Sequence, residues 1–211
     1  MDKTFIDILE KSKKFANDIG MLLLDAKQPT TKRGLLTTAL SQIAIQHTSS
    51  QRILIEIDHH VSALALVRLT FESLVRSIWT HHCASDEWIK QMTSPMEPGR
   101  LEEPIMGPPM ESMLQSIDKD APPFICQMLR ELKESTWQPM NSYVHGGSRA
   151  IAQVLSDSSP QQRISALRNA NGLALMAANV FVLASDDISL AGRIKKIQIE
   201  NLGCLPPVKA T

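Results

Sequence analysis

The chain has 211 residues, 43% of them hydrophobic and 21% charged, which is the composition of a globular chain able to bury a core without disulfides or a structural metal. Its 22 basic residues balance 22 acidic ones, and that excludes strong non-specific binding to a nucleic-acid backbone, which needs an excess of Lys and Arg. Cys83, Cys126 and Cys204 form no CxxC pair, the N-terminus has no signal-peptide core, and no run of about 18 apolar residues occurs, so a cytoplasmic chain with no membrane association is expected.

Taken in chain order, the apolar residues recur with the helical period. In the first segment Phe5, Leu9, Ala16, Ile19 and Leu23 share a face, with Lys11, Lys13 and Lys14 off it. Pro29 and Thr30 break the chain. A second helix is expected over 32–57, with Leu36, Leu40, Ile43, His47, Leu54 and Ile57 as its buried stripe. Asp58 suits the N-cap of a third helix over 59–84, which is apolar nearly all round and so central. A short helical turn in "DEWIKQM" leads into a Pro- and Gly-rich loop over 94–109, long for a compact domain. Short and longer helices follow, over 110–117 and from Pro123 to Trp137, where Pro139 kinks or ends the second. Ser159 and Pro160 carry the N-cap and first-turn signals of the next helix. A last amphipathic helix over 189–201 is stopped by Gly203. No strand alternation and no internal repeat appears. The expectation is an all-α, single-domain bundle of about six or seven helices over 1–205, with a flexible tail at 206–211.

Two segments carry candidate chemistry. Arg68, Glu72 and Arg76 stand at i, i+4 and i+8, one charged row on the otherwise apolar third helix. The row is either a solvated or structural ion-pair stripe or the wall of a pocket, because an unpaired buried charge is very costly. In "MNSYVHGG", residues 140–147, Gly146 and Gly147 make a natural helix stop, but they do not explain Asn141, Tyr143 and His145. His59-His60 and His81-His82 are adjacent pairs that point to different sides of a helix, so no metal ligand set stands out. There is no Gly-rich phosphate loop and no G-x-S-x-G, and no cofactor is expected.

Asn141, His145 and Gly146 follow the spacing of the RN-x-x-x-H-G segment of HEPN domains, the higher-eukaryote and prokaryote nucleotide-binding helical bundles. The chain also resembles bacterial HEPN-like families that pair an R-x-x-F-E helix, here Arg68 to Glu72, with a later S-Y-V-H-G-G segment, here Ser142 to Gly147. The likeness covers roughly the central half of the chain. It implies a bundle, usually a homodimer, whose motif faces a cleft between subunits. Active members are metal-independent endoribonucleases, many in toxin–antitoxin or phage-defence systems with an antitoxin-like protein partner. It implies His145 as proton carrier, Arg68 and Arg76 as phosphate ligands, Glu72 as their orienter, and Asn141 and Tyr143 as polar neighbours binding RNA or a nucleotide. The sequence departs from the motif at Met140, where the family has arginine. Two other classes stay open: a non-catalytic interaction module whose Arg/Glu/His cluster is structural, and a small-molecule binder with an enclosed pocket beside Trp79 or Trp88.

Overall fold

A computed structural model describes residues 2–94, 106–156, 158–187 and 189–207. Among them the chain forms nine α-helices and one 3₁₀ turn: α1 (Lys3–Leu24), α2 (Lys32–Glu56), α3 (His60–His82), α4 (Asp86–Met92), α5 (Met110–Asp120), α6 (Pro123–Val144), α7 (Ser148–Leu155), α8 (Pro160–Ala184), α9 (Ser189–Glu200) and the 3₁₀ turn Leu202–Cys204. No strand occurs among the described residues. The all-α expectation holds, but six or seven helices is too few. The element that sequence reading missed is α7, which starts directly behind the glycine stop with no side-chain cap to announce it. Most of the expected loop, residues 95–105, and the end of the expected tail, residues 208–211, lie outside the described residues.

Helix starts follow local chemistry. The Asp2 carboxylate accepts from the Phe5 N–H, Thr31 from Gly34 and Ser85 from Trp88. Ser159 and Gln162 form a reciprocal capping box ahead of Pro160. Asp58 does not cap α3. It takes φ 68°, its carboxylate pairs with His60 at 2.7 Å and with Arg163 at 2.7 Å, and His59 holds the N-cap position without a side-chain bond. Pro139 does not end α6, which runs on to Val144.

Three helices, α2, α3 and α8, form the centre. α1 and α9 pack on the outer side of α8, and α5 and α6 on the far side of α3. α2 and α3 run antiparallel. A buried bond from Gln51 to the Thr70 hydroxyl (2.7 Å) fixes one end, and Arg33 fixes the other by donating to the Thr80 and Ala84 carbonyls (both 2.7 Å).

The buried face of α2 is only in part the expected one, since Leu36 and Leu54 pack half-buried against the core. Gly34, Thr37, Thr38, Ser41, Ala44, Thr48, Gln51 and Ile55 face inward, while Ile43 and Ile57 are exposed. α2 lies between two other helices, and small side chains let backbones approach where Leu would hold them apart. At Gly34 an added Cβ would stand 3.0 Å from the Ala184 carbonyl of α8 and 2.7 Å from Pro29. Threonine and serine hydroxyls can be buried there because they return to their own helix, as Ser41 does to Thr37 O at 2.9 Å.

α8 is long and apolar enough to cross a membrane by length and composition alone, at a mean hydropathy of 1.2. Its position accounts for that character, since Ile164, Leu167, Leu173, Ala177, Ala178 and Phe181 are all buried between neighbouring helices. Its one deeply buried amide, Asn171, accepts from Ser12 of α1 (2.8 Å) and donates to the Cys204 carbonyl (2.9 Å), which ties the C-terminal turn to the bundle. Pro206 lies against Gly172, where a Cβ would come within 2.8 Å of its ring.

Candidate functional site

The glycine pair ends α6 by a specific geometry. His145 is the C-cap, Gly146 follows with φ 64°, and the Gly147 N–H donates to the Ser142 carbonyl at 2.7 Å. That is the 6→1 bond of a Schellman stop. Gly146 supplies the left-handed residue and Gly147 the close approach, since a Cβ there would stand 2.7 Å from the Ser142 hydroxyl oxygen. The Arg149 N–H donates to the same hydroxyl at 3.0 Å, so α7 is launched from the end of α6. His145 is left exposed, on the side of α6 that faces α3.

Across from it lies Arg68. Its Nε donates to Glu72 at 2.8 Å, and its Nη1 donates to the Asn141 side-chain oxygen at 2.7 Å and lies 3.3 Å from His145 Nε2. Since arginine has donors only, Nε2 must be the accepting, unprotonated nitrogen in this contact. The guanidinium also sits 5.0 Å from the centre of the Trp137 ring, a cation–π distance. Trp137 in turn meets Phe71 edge-on at 6.3 Å. Arg68 and Glu72 are about a quarter to a third exposed, so the cluster is open to solvent on one side. The two N–H groups of Arg68 Nη2 have no partner among the described residues.

The structure thus brings together Arg68, Glu72, Asn141 and His145. It does not bring in Arg76 or Tyr143. α3 and α6 are antiparallel here, with Arg68 beside Asn141 and His145, and Phe71 beside Trp137. Arg76 is just over two turns, about 12 Å, further along α3, away from His145. Its Nη1 is buried without a partner, and burial lowers its pKa against the opposing pull of Glu72. Tyr143 is two residues past Asn141, about 200° round the helix, and makes no hydrogen bond to the cluster among the described residues. Met140 is 2% exposed and belongs to the core, so its position cannot present a cation to His145. The guanidinium beside His145 comes from another helix.

Trp137 is the member that sequence reading missed. The signal was present in the spacing, because Trp137, Asn141 and His145 are each one turn apart on α6. The small-molecule reading asks for an enclosed pocket beside Trp79 or Trp88. They instead pack edge-on at 4.8 Å, and Gly107 and Met113 close over Trp79. Among the described residues no group of three or more His, Cys, Asp or Glu is arranged to hold a metal ion.

A family model described as a family of unknown function (DUF6988) matches residues 41–207. The chain belongs to that family. The matched span contains Arg68, Glu72, Trp137, Asn141 and His145, so the whole cluster lies within the family's domain. No curated protein and no solved structure matches the chain.

Proposed function

We propose that the chain is a HEPN-like RNA-binding protein acting as a metal-independent endoribonuclease, with Arg68 and His145 at its centre. One observation carries this reading: Arg68 Nη1 stands 3.3 Å from His145 Nε2, with Nη2 still holding two donors. An anionic phosphate placed on Nη2 would lie next to an unprotonated imidazole nitrogen. His145 Nε2 exchanges its contact with Arg68 Nη1–H for the ribose 2′-hydroxyl and takes that proton as the hydroxyl oxygen bonds to phosphorus. The 5′-oxygen leaves and is protonated by water, giving a 2′,3′-cyclic phosphate and a 5′-hydroxyl end. Arg68 stabilises the charge that builds on the phosphate oxygens. Glu72 and Asn141 hold the guanidinium in place.

The reading extends to a cytoplasmic homodimer in a toxin–antitoxin or phage-defence setting, with an antitoxin-like partner. Support for pairing comes from α7, where Ile151, Val154 and Leu155 are 56%, 75% and 81% exposed directly behind the His145 turn. The test is cleavage of single-stranded RNA in the presence of EDTA, with the product ends identified, by wild type against His145→Ala and Arg68→Ala. Cleavage lost in both variants supports the proposal. Equal cleavage by all three, or none by wild type, overturns it.

A second reading is favoured by a different feature of the same cluster. Glu72, Asn141 and Trp137 already engage Arg68, as they would in a lock between α3 and α6. On that reading the chain is a non-catalytic interaction module, and Arg68→Ala lowers stability without any RNA phenotype.

A further inference from the structure

The α6 face that bears Asn141 and His145 continues toward the N-terminus as Trp137, Gln138, Glu134 and Arg130, each step one helical turn or less. These residues form one wall of an open groove between α5 and α6, with a volume of about 480 Å³. Leu114 and Gln115 of α5 lie on the opposite wall. That volume falls within the range of about 300–1,000 Å³ typical of small-molecule sites. Trp137 lines this groove and also lies beneath the Arg68 guanidinium, so the groove and the Arg68–His145 cluster share one residue.

The chemistry of the walls is selective. Two ion pairs, Arg130 with Asp118 and Lys133 with Glu111, cross from α6 to α5 and hold the groove at its present width. They also engage both cations that line it. Glu134 adds a third carboxylate, so the lining carries more negative than positive charge and is a poor place for a phosphate. It is a good place for a flat, uncharged group with N–H donors. An indole offers such a group a stacking surface, and a carboxylate and two carboxamides accept or exchange hydrogen bonds with a base edge. Trp137 stands about 6 Å along the helix axis from Asn141, close enough for a base and the phosphate beside it to be held together.

We infer that the α5–α6 groove is a nucleobase subsite, in which a base carrying an exocyclic amino group (adenine, guanine or cytosine) stacks on Trp137 and donates to Glu134 and Gln138. This rests on the RNA reading above and adds to it the identity of the base beside the scissile phosphate. Uracil is disfavoured, because it has no exocyclic amino group and its one edge donor, N3–H, is flanked by two carbonyl oxygens that would face the Glu134 carboxylate.

Nucleosides, which lack phosphate, test the groove without the anion that Arg68 is proposed to hold. The three tryptophan indole N–H signals of the full ¹⁵N-labelled chain are followed by NMR, with Trp137 assigned by Trp137→Phe. Adenosine, guanosine and cytidine at millimolar concentration should move the Trp137 signal, and uridine should bind about tenfold more weakly. Glu134→Ala and Gln138→Ala should each reduce that preference to about twofold, and Gln115→Ala tests the opposite wall. The inference is overturned if uridine moves the signal as strongly as the others, if no nucleoside moves it, or if preference survives both α6 variants. The outcome is separable from the ribonuclease reading: RNA cleavage with a silent Trp137 removes the subsite alone, and nucleoside binding without cleavage removes the enzyme alone.

Discussion

Arg68 of α3 and His145 at the end of α6 meet across 77 positions of sequence, Nη1 to Nε2 at 3.3 Å, with Asn141 bonded to the same guanidinium nitrogen at 2.7 Å. The contact needs both the turn that frees His145 and the register that sets α3 against α6.

Arginine geometry, and not charge alone, is expected to matter at position 68. Lysine keeps the charge but gathers its donors on one nitrogen, and lacks the planar fork that reaches Glu72 from Nε and Asn141 and His145 from Nη1. Arg68→Lys should therefore lose about 10²–10³-fold in RNA cleavage while keeping most of the thermal stability. His145→Ala should lose about 10²–10⁴-fold with a Tm close to wild type, since the imidazole is exposed. Single-turnover cleavage alongside thermal denaturation separates the two effects. An Arg68→Lys protein with full activity would contradict the role given to the guanidinium fork.

The two glycines should fail differently. Gly146→Ala forces a side chain into φ 64° with open space around it, so a loss of about 1 kcal/mol is expected. Gly147→Ala meets the Ser142 hydroxyl, α-carbon and carbonyl together, and the turn itself must shift. It should cost more than Gly146→Ala and should also displace His145, lowering cleavage beyond the loss of stability. Chemical denaturation and cleavage rates of both variants check the order, and the reverse order would count against the turn as the positioning device.

Packing of α2 gives a prediction opposite to ordinary hydrophobic intuition. Ser41 and Thr48 are buried between helices, so Ser41→Leu and Thr48→Leu should destabilise by about 1–3 kcal/mol through overpacking. Ile43→Ser, on the exposed side, should cost under about 0.5 kcal/mol. Urea midpoints of the three variants decide whether the small stripe faces inward.

Three histidines give stability a direction with pH. Burial lowers the pKa of His47, His81 and His82. His81 is pushed further by His82 and Arg33, against Asp186. A depressed folded value means that the unfolded chain takes up protons first as pH falls. Their contribution is complete above about pH 6.5 and is lost as pH drops through that value toward the folded ones. Tm should decline over that window, and His81→Gln should make the decline shallower. An unchanged slope in that variant would remove His81 from the account.

If α7 pairs two copies, Val154→Asp with Leu155→Asp should give a monomer by sedimentation at concentrations where the wild type is dimeric. A wild type that is already monomeric would remove the homodimer.

Helix identity, most helix starts and the stop at Gly146–Gly147 were all legible in the sequence, because each depends on neighbours a few residues away: a capping oxygen, an apolar period, a glycine that accepts positive φ. The pairing of the Arg68–Glu72 helix with Asn141 and His145 was legible too, through recognisable segments. Three things were not. The fully buried stripe of α2 is mostly small and polar, and Ile43 and Ile57 of the expected stripe face outward. Arg68 and Arg76 looked equivalent on one row, and only Arg68 reaches His145. Met140 looked like a lost cation and is a core residue. All of these depend on how far each helix is rotated and slid against its neighbours. That rotation and register are set by the whole core at once, with Gln51 on Thr70 and Arg33 on the end of α3 fixing one helix pair and the packing of α3 against α6 the other.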